Sequence, residues 1–322
     1  MDSAREWTDE QLREMERRIK RIYQQAQNEI TEKWNEYMVQ SQARLSAMYN
    51  AMMTAPPEYR EEMMRRYQEM LQNETLRNRW YKDMISETTQ RLYHTNEIAM
   101  AYINGQMPDI YAVNFNYIDP DALGLGIDFS LVDEGTLRQL IVDGYIPQKI
   151  INPIKDMSWN TRQIGSSVLQ GILQGESIPQ MAKRIYPVVD NNKKAAIRNA
   201  RTMTTAAENR GRLNRYEDYA AKGLIVNKVW MATGDDRTRD WHLSMDGQER
   251  AIDEPFIDGL GNELQEPGDP DAPSNTVWNC RCSMRSHIIG VRGQSGKITP
   301  IKTAHKSGLH DKQIKEERGR RK

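Results

Sequence analysis

This chain is poor in cysteine and has no long apolar run. Its 322 residues include only two cysteines, Cys280 and Cys282, which are one residue apart and cannot easily form a disulfide with each other. We therefore expect a chain made in a reducing compartment, with thiols that are free or bound to a metal. No run of about 18 apolar residues is present, which predicts no membrane-spanning helix and no membrane partner.

The net charge of the chain is zero, which argues against a uniformly basic nucleic-acid-binding protein. The charge is nevertheless uneven, because residues 291–322 carry ten Lys or Arg and three Asp or Glu, a local net charge of +7 balanced by −7 elsewhere. A terminal block of one sign is typically a solvated tail that binds a partner of opposite charge. We interpret residues 291–322 as a basic tail, either a solvated end or a contact for double-stranded DNA or an acidic protein surface.

Hydrophobic periodicity predicts helices through most of the first 105 residues. Apolar residues recur at steps of three and four over residues 8–54, and a second helical region follows at 57–104, with a break allowed near Asn73. Gly105 is placed to end that region. The pattern favours a helical arm at 1–105, which is either a scaffold or an oligomerisation surface.

The composition changes after the arm. Residues 106–157 are rich in Pro, Gly and Asp, contain a β-type run at 110–118 and a short helix near Asp133, and are interpreted as a connector. Further along, the patterns predict helices at 158–174, 178–186 and 191–222 and strands at 225–232 and 284–291. The predicted fold class is α+β: the long helical N-terminal arm, a mixed α+β domain at 158–290 with short strands and a loop-rich polar motif, and the basic C-terminal tail.

The polar motif spans residues 230–282 and holds both cysteines and His242, one of five histidines in the chain. It opens with W-x-x-x-x-D-D-R-T-R-x-x-H-x-x-x-D-G and closes with P-G-D-P and N-C-R-C. A helical run, ARTMTTAAENRGRLNRY, precedes it at 200–216. The polar motif is the chain's densest cluster of reactive residue types, so we expect any metal-binding or catalytic residues to lie within it.

In this order and spacing, the motifs resemble the phage head morphogenesis family, the Mu-F-like minor head proteins that include the SPP1-type portal-associated minor head protein. The resemblance covers roughly residues 150–285. It implies a minor capsid protein of a tailed phage, located in the virion at the portal vertex or capsid interior and in the host cytoplasm during assembly. The implied partners are portal, capsid and scaffolding proteins, and a contact with packaged DNA or an effect on its ejection is left open.

The resemblance also marks individual positions of this chain. They lie on the predicted helix at 191–222, at the end of the predicted strand at 225–232, and between that strand and the one predicted at 284–291. The matching residues are Arg201, Thr202, Trp230, Asp235, Arg237, Arg239, His242, Asp246, Gly247, Pro267, Asn279, Cys280, Arg281 and Cys282.

One interpretation of the polar motif is a metal site. His242, Cys280 and Cys282 are ligand types that tetrahedral zinc takes, with Asp235 or Asp246 as a fourth ligand. The spacing argues against it, since structural sites usually pair cysteines as C-x₂₋₄-C, which lets a turn point both sulfurs at the metal.

A second interpretation is catalysis, with a cysteine nucleophile and His242 as its base. No third member of such a group stands out, and no Gly-rich phosphate loop supports a nucleotidyl- or ADP-ribosyl-type reaction. We therefore predict that the chain is not an enzyme. The alternative is a virion-carried metal-dependent or Cys/His enzyme that acts on DNA, capsid or host targets.

The third interpretation, which we prefer, is structural and needs no cofactor. Arg237 and Arg239 would point the same way on an extended segment and clamp Asp246 or Asp269. Gly247 would permit a turn with positive φ. The polar motif would then fix a loop region that lacks regular backbone pairing.

Overall fold

The computed structural model describes residues 2–76, 79–125, 129, 131, 133, 135, 154–174, 176–293 and 297–301. The helices are α1 (Ser3–Thr54), α2 (Pro57–Leu76), α3 (Arg79–Asn116), α4 (Pro120–Leu123), α5 (Met157–Leu173), α6 (Ile178–Ala221), α7 (Asp240–Leu243) and α8 (Ser274–Val277). The strands are β1 (Leu224–Met231), β2 (Glu249–Ala251), β3 (Phe256–Ile257), β4 (Glu263–Leu264), β5 (Ser283–Arg292) and β6 (Ile298–Pro300). The predicted α+β class, with helices first and short strands after, is confirmed.

The chain divides into two compact units. One unit combines Met1–Glu14, Ile103–Asn152 and Arg198–Lys322, and is called the sheet unit below. The other combines Met15–Tyr102 and Pro153–Ile197, and is called the helical unit. No helix in the described ranges is both long and apolar enough to cross a membrane.

The helical unit has a core of apolar side chains with a network of amides inside it. In α1 the buried residues follow steps of three and four: Met15, Ile19, Tyr23, Ala26, Ile30 and Trp34. Three buried amides join α3, α5 and α6, because Asn96 donates to Asn192 (2.9 Å) and Asn192 donates to Asn160 (2.8 Å). A buried amide is costly unless it is hydrogen-bonded, so this network specifies how these helices pack.

Helix α3 continues well past the end that the sequence predicts. The predicted stop at Gly105 and the β-type run at 110–118 were wrong, because α3 runs to Asn116 with Pro108 inside it. The buried side chains at this end of the helix still follow helical spacing: Ile103, Met107, Ile110 and Tyr111. Burial of this face therefore outweighs the breaking tendency of one glycine and one proline.

Helix α6 shows the same effect around Pro187. Two separate helices were predicted at 178–186 and 191–222, but a single helix spans both. Buried residues lie on both sides of the proline: Ile185, Val188 and Val189. The predicted short helix near Asp133 falls mostly outside the described residues, as does the basic tail beyond residue 301.

The sheet unit contains a four-stranded antiparallel sheet of order β2-β1-β5-β6 and a separate β3–β4 pair. The strands predicted at 225–232 and 284–291 are confirmed as β1 and β5, which pair along their lengths with one irregularity between Ile225 and Val226. The core against this sheet includes aromatic residues, Met284, Ile288 and both cysteines. The polar motif therefore folds onto the hydrophobic core itself.

Candidate metal centre

The start of the polar motif is a loop that closes on the end of β1. Ala232 donates its backbone N–H to the carboxylate of Asp246 (2.9 Å), and Gly247 donates to the carbonyl of Trp230 (2.9 Å). Gly247 has φ +76°, which a residue with a Cβ rarely adopts. The Trp230, Asp246 and Gly247 positions of the pattern thus make the contacts that close the loop. The expected turn at Gly247 is confirmed.

Within this loop, the short helix α7 buries His242 beside the sheet. The imidazole packs edge-on against the indole of Trp230, with ring centroids 5.7 Å apart. Its Nδ1 atom lies 3.6 Å from the Sγ of Cys280 and 3.6 Å from the Sγ of Cys282. One atom from each of these three buried residues lies within 4.8 Å of the other two.

The two cysteines converge because the chain turns just before them. Asn279 has φ +57°, a left-handed conformation that asparagine tolerates better than most residues. The segment then runs into β5, so residues two apart, such as Cys280 and Cys282, present their side chains to the same face. The backbone N–H of Cys282 also donates to the Sγ of Cys280 (3.4 Å). The one-residue spacing therefore does bring both sulfurs to His242.

Helix α6 holds this segment with side chains at helical spacing. The hydroxyl of Thr202 accepts the N–H of Asn279 (2.8 Å), and that of Thr205 donates to the carbonyl of Cys280 (2.6 Å). One turn further on, Asn209 donates to the carbonyl of Cys282 (3.3 Å).

The carboxylate of Glu208 joins this row by accepting from the Ser283 hydroxyl (2.8 Å). Arg201 donates to the Asn279 side chain (3.4 Å), which explains its place in the pattern. Thr205, Glu208 and Asn209 contact the motif and were missed by the sequence reasoning. Their spacing at i, i+3 and i+4 places them on one helix face, but the sequence does not show what that face contacts.

Asp235 is held by Arg281 and not by the sulfur group. The guanidinium donates to both carboxylate oxygens, at 2.6 Å each, and this hydrogen bonding holds the pKa of Asp235 far below its usual range. The same carboxylate accepts from the backbone of Arg237 and the hydroxyl of Thr238, which forms a tight turn. The structure therefore does not bring Asp235 to His242 as a fourth ligand.

The expected arginine clamp on Asp246 or Asp269 is wrong. Arg237 is exposed in the turn and lies 3.7 Å from Asp235, while Arg239 donates to the backbone carbonyl of Trp278. The carboxylate of Asp269 accepts the backbone N–H groups of Gln265 and Asp271. The two arginines diverge because Arg237 lies in the turn that follows Asp235, so the segment is not extended throughout as the clamp required.

The electrostatics of the sulfur pair are asymmetric. The hydrogen bond between the two thiols and burial raise the pKa of Cys280. The same hydrogen bond and the neighbouring His242 lower the pKa of Cys282. Two sulfurs and one imidazole are also a donor set that zinc binds.

These features define an α+β domain in which a helix face, a strand end and a buried Cys/Cys/His group fix a loop-rich motif. Residues 162–285 match the family model described as Phage Mu protein F like protein. The resemblance to the Mu-F-like minor head proteins is confirmed over this region, which is less than half of the chain.

Two curated relatives match parts of the chain. The minor head protein GP7 of Bacillus phage SPP1 is 32% identical over 127 residues, which cover 39% of this chain and 41% of that protein. An NAD(+)--arginine ADP-ribosyltransferase, EFV, of Enterococcus faecalis is 28% identical over 130 residues, which cover 40% of this chain and 26% of that protein. The chain thus spans less than half the length of either relative. No solved structure gives a significant match.

Proposed function

We propose that this chain is a minor head protein that binds the portal and procapsid of a tailed phage during head assembly and resides in the virion. The observation that carries the proposal is the Phage Mu protein F like match over residues 162–285. The similarity to a protein named as a phage minor head protein supports the same role. The family match over this region supports a part in phage head morphogenesis.

We propose that this role is one of binding and not of catalysis. Several polar groups in and around the motif are engaged in internal contacts: Asp235 with Arg281, and Thr202 and Thr205 with the backbone before β5. Such contacts fix a loop in place, which supports a structural role. The ADP-ribosyltransferase activity in the name of EFV is not assigned to this chain, because the match covers only 26% of that protein.

The test is co-purification with procapsids. Procapsids are assembled without DNA in two forms, with and without portal protein, and the chain is quantified in each after sedimentation. Portal binding predicts the chain in portal-containing particles and at least tenfold less in portal-free ones. Equal amounts in both forms would assign binding to the capsid or scaffold, and absence from both would contradict the head-assembly role.

The basic tail at 291–322 is proposed to contact packaged double-stranded DNA. Its local charge of +7 supports this, because Lys and Arg contacts to phosphate are sequence-independent and salt-sensitive. The test compares full-length chain with a version whose Lys and Arg beyond residue 301 are replaced by Gln. Weaker DNA binding by the variant at low salt is expected, and equal binding by both would contradict the proposal.

A further inference from the structure

We propose that His242, Cys280 and Cys282 bind one zinc ion, which ties α7 to the segment before β5. All three side chains are almost fully buried, with 1%, 3% and 2% of their surfaces exposed. Their nitrogen and sulfur atoms converge to within 4.8 Å of one another. This proposal goes beyond the head-assembly role and does not depend on it.

The distances in the group match those of a tetrahedral zinc site. With Zn–S bonds of about 2.3 Å and Zn–N bonds of about 2.0–2.1 Å, the nitrogen and each sulfur stand about 3.5–3.6 Å apart. Here the Nδ1 of His242 lies 3.6 Å from each of the two sulfurs. A single N–H is directed at one acceptor, so two equal distances fit an ion shared by three ligands better than one hydrogen bond.

Hydrogen bonds from neighbouring residues hold the two cysteine ligands in place. The Sγ of Cys280 accepts the backbone N–H of Cys282 (3.4 Å). The carbonyls of both cysteines are held by side chains of α6, from Thr205 and Asn209. Ligands fixed in this way lose little freedom when an ion binds.

The charge balance also favours a divalent cation. Two thiolates and a neutral imidazole carry a charge of −2, which a divalent ion neutralises inside a low-dielectric core. The two aspartates considered as a fourth ligand have other partners. Asp235 pairs with Arg281, and Asp246 accepts the backbone N–H of Ala232. The described part of the chain therefore supplies three ligands, and in this proposal the fourth position goes to water or an exogenous ligand.

The first experiment measures metals in the full-length chain, purified without chelator and under reducing conditions. Mass spectrometry of dissolved protein is expected to find close to one zinc per chain, with iron and copper below a tenth of that. The zinc-free chain, reconstituted with Co²⁺, is expected to show the intense near-ultraviolet charge-transfer absorption of cobalt–thiolate bonds. Neither readout requires a variant.

The second experiment tests whether His242, Cys280 and Cys282 are the residues that bind the zinc ion. Cys280→Ser, Cys282→Ser and His242→Ala are each expected to lower zinc content at least fivefold. His287→Ala is the matched control, because this histidine lies on β5, pairs with Glu249 and is outside the group. It is expected to keep the wild-type zinc content.

Three outcomes would overturn the proposal. The first is wild-type chain with less than a tenth of a zinc per molecule and no cobalt–thiolate absorption after reconstitution. The second is zinc retained at wild-type level in all three ligand variants, which would place it elsewhere. The third is stoichiometric iron or copper instead of zinc. If the variants fail to fold, the metal content and the cobalt spectrum of the wild-type chain still test the proposal.

Discussion

Arg281 holds the carboxylate of Asp235 with two parallel hydrogen bonds, at 2.6 Å each. The pair joins the loop after β1 to the segment before β5, and both side chains are about three-quarters buried. The carbonyl of Arg281 accepts from the hydroxyl of Thr233 (2.7 Å), which fastens the same two segments a second time. The arginine of N-C-R-C therefore acts on the opposite side of the segment from the cysteines.

Replacing Asp235 with Asn should destabilise the chain by about 1–2 kcal/mol at pH 7, because it removes a bidentate charged pair that is partly screened by solvent. The pKa of Asp235 is lowered in the folded chain, so this stabilisation is present above the unfolded value near 4 and is lost as pH falls. Urea unfolding at pH 7 and pH 3 measures both effects.

Asp236→Asn is the control for that change, because Asp236 is the next residue and is exposed. It should shift the unfolding free energy by less than about 0.5 kcal/mol. Equal losses from Asp235→Asn and Asp236→Asn would show that general charge, and not the pair with Arg281, is responsible.

The sequence predicts the polar motif well because its residues are unusual in type. Trp230, His242 and the cysteines stand out, and β1 and β5 are recognisable from their β-branched residues. The partners of the motif are harder to find. Thr205 and Asn209 are ordinary helix residues, and only the fold shows that they face the carbonyls of the cysteine segment.

Helix ends were predicted less well than helices. Gly105 and Pro187 carry local helix-breaking signals, but the structure keeps both within continuous helices. Whether such a point breaks depends on the apolar surface buried on either side of it, and that surface is set by residues far away in sequence. The Arg237–Arg239 clamp failed for a related reason, since the turn after Asp235 changes which way neighbouring side chains point.

Replacing Thr205 with Val should cost about 1–3 kcal/mol, because the buried carbonyl of Cys280 loses its hydrogen-bond donor. The substitution keeps the shape of the side chain, so lost packing contributes little. The free energy of unfolding in urea is the measurement.

The neighbouring Thr204 is the matched control. It is buried to the same degree, and its hydroxyl has no hydrogen-bond partner among the described residues. Thr204→Val should therefore be neutral or stabilising. A loss from Thr204→Val as large as that from Thr205→Val would contradict the assigned role of the Thr205 hydroxyl.

Replacing Gly268 with Ala tests the P-G-D-P turn, which lies directly against helix α6. Gly268 has φ +85°, and an added Cβ would stand 2.9 Å from the backbone nitrogen of Ala206. Gly261 has nearly the same φ, +82°, with no atom within 4 Å of an added Cβ. Gly261→Ala should cost about 1–2 kcal/mol for the backbone conformation alone.

Gly268→Ala should cost more than Gly261→Ala by at least about 1 kcal/mol, because backbone atoms must also move apart. Thermal unfolding of both variants under one condition measures the difference. Equal losses would mean that the turn relaxes away from α6 without cost.

Glu266 is expected to make the stability of the chain depend on pH between about 4.5 and 7. It is buried against Arg210, with a nitrogen–oxygen distance of 2.6 Å, and burial raises its pKa to about 7. Between the unfolded value near 4.5 and 7, the folded chain keeps a proton that the unfolded chain releases. Stability should therefore fall as pH rises through this window, by up to about 3 kcal/mol for this group.

Glu266→Gln should remove that fall, because the amide stays neutral at every pH in the window. Lys228, which lies nearby, has a pKa lowered to about 8 by burial and so stays largely protonated up to pH 7 in both states. Urea unfolding of wild type and variant at half-unit steps from pH 5 to 7 measures the slopes. Glu263→Gln, at an exposed position on β4, should keep the wild-type slope. A wild-type slope in Glu266→Gln would show that another group controls the pH dependence.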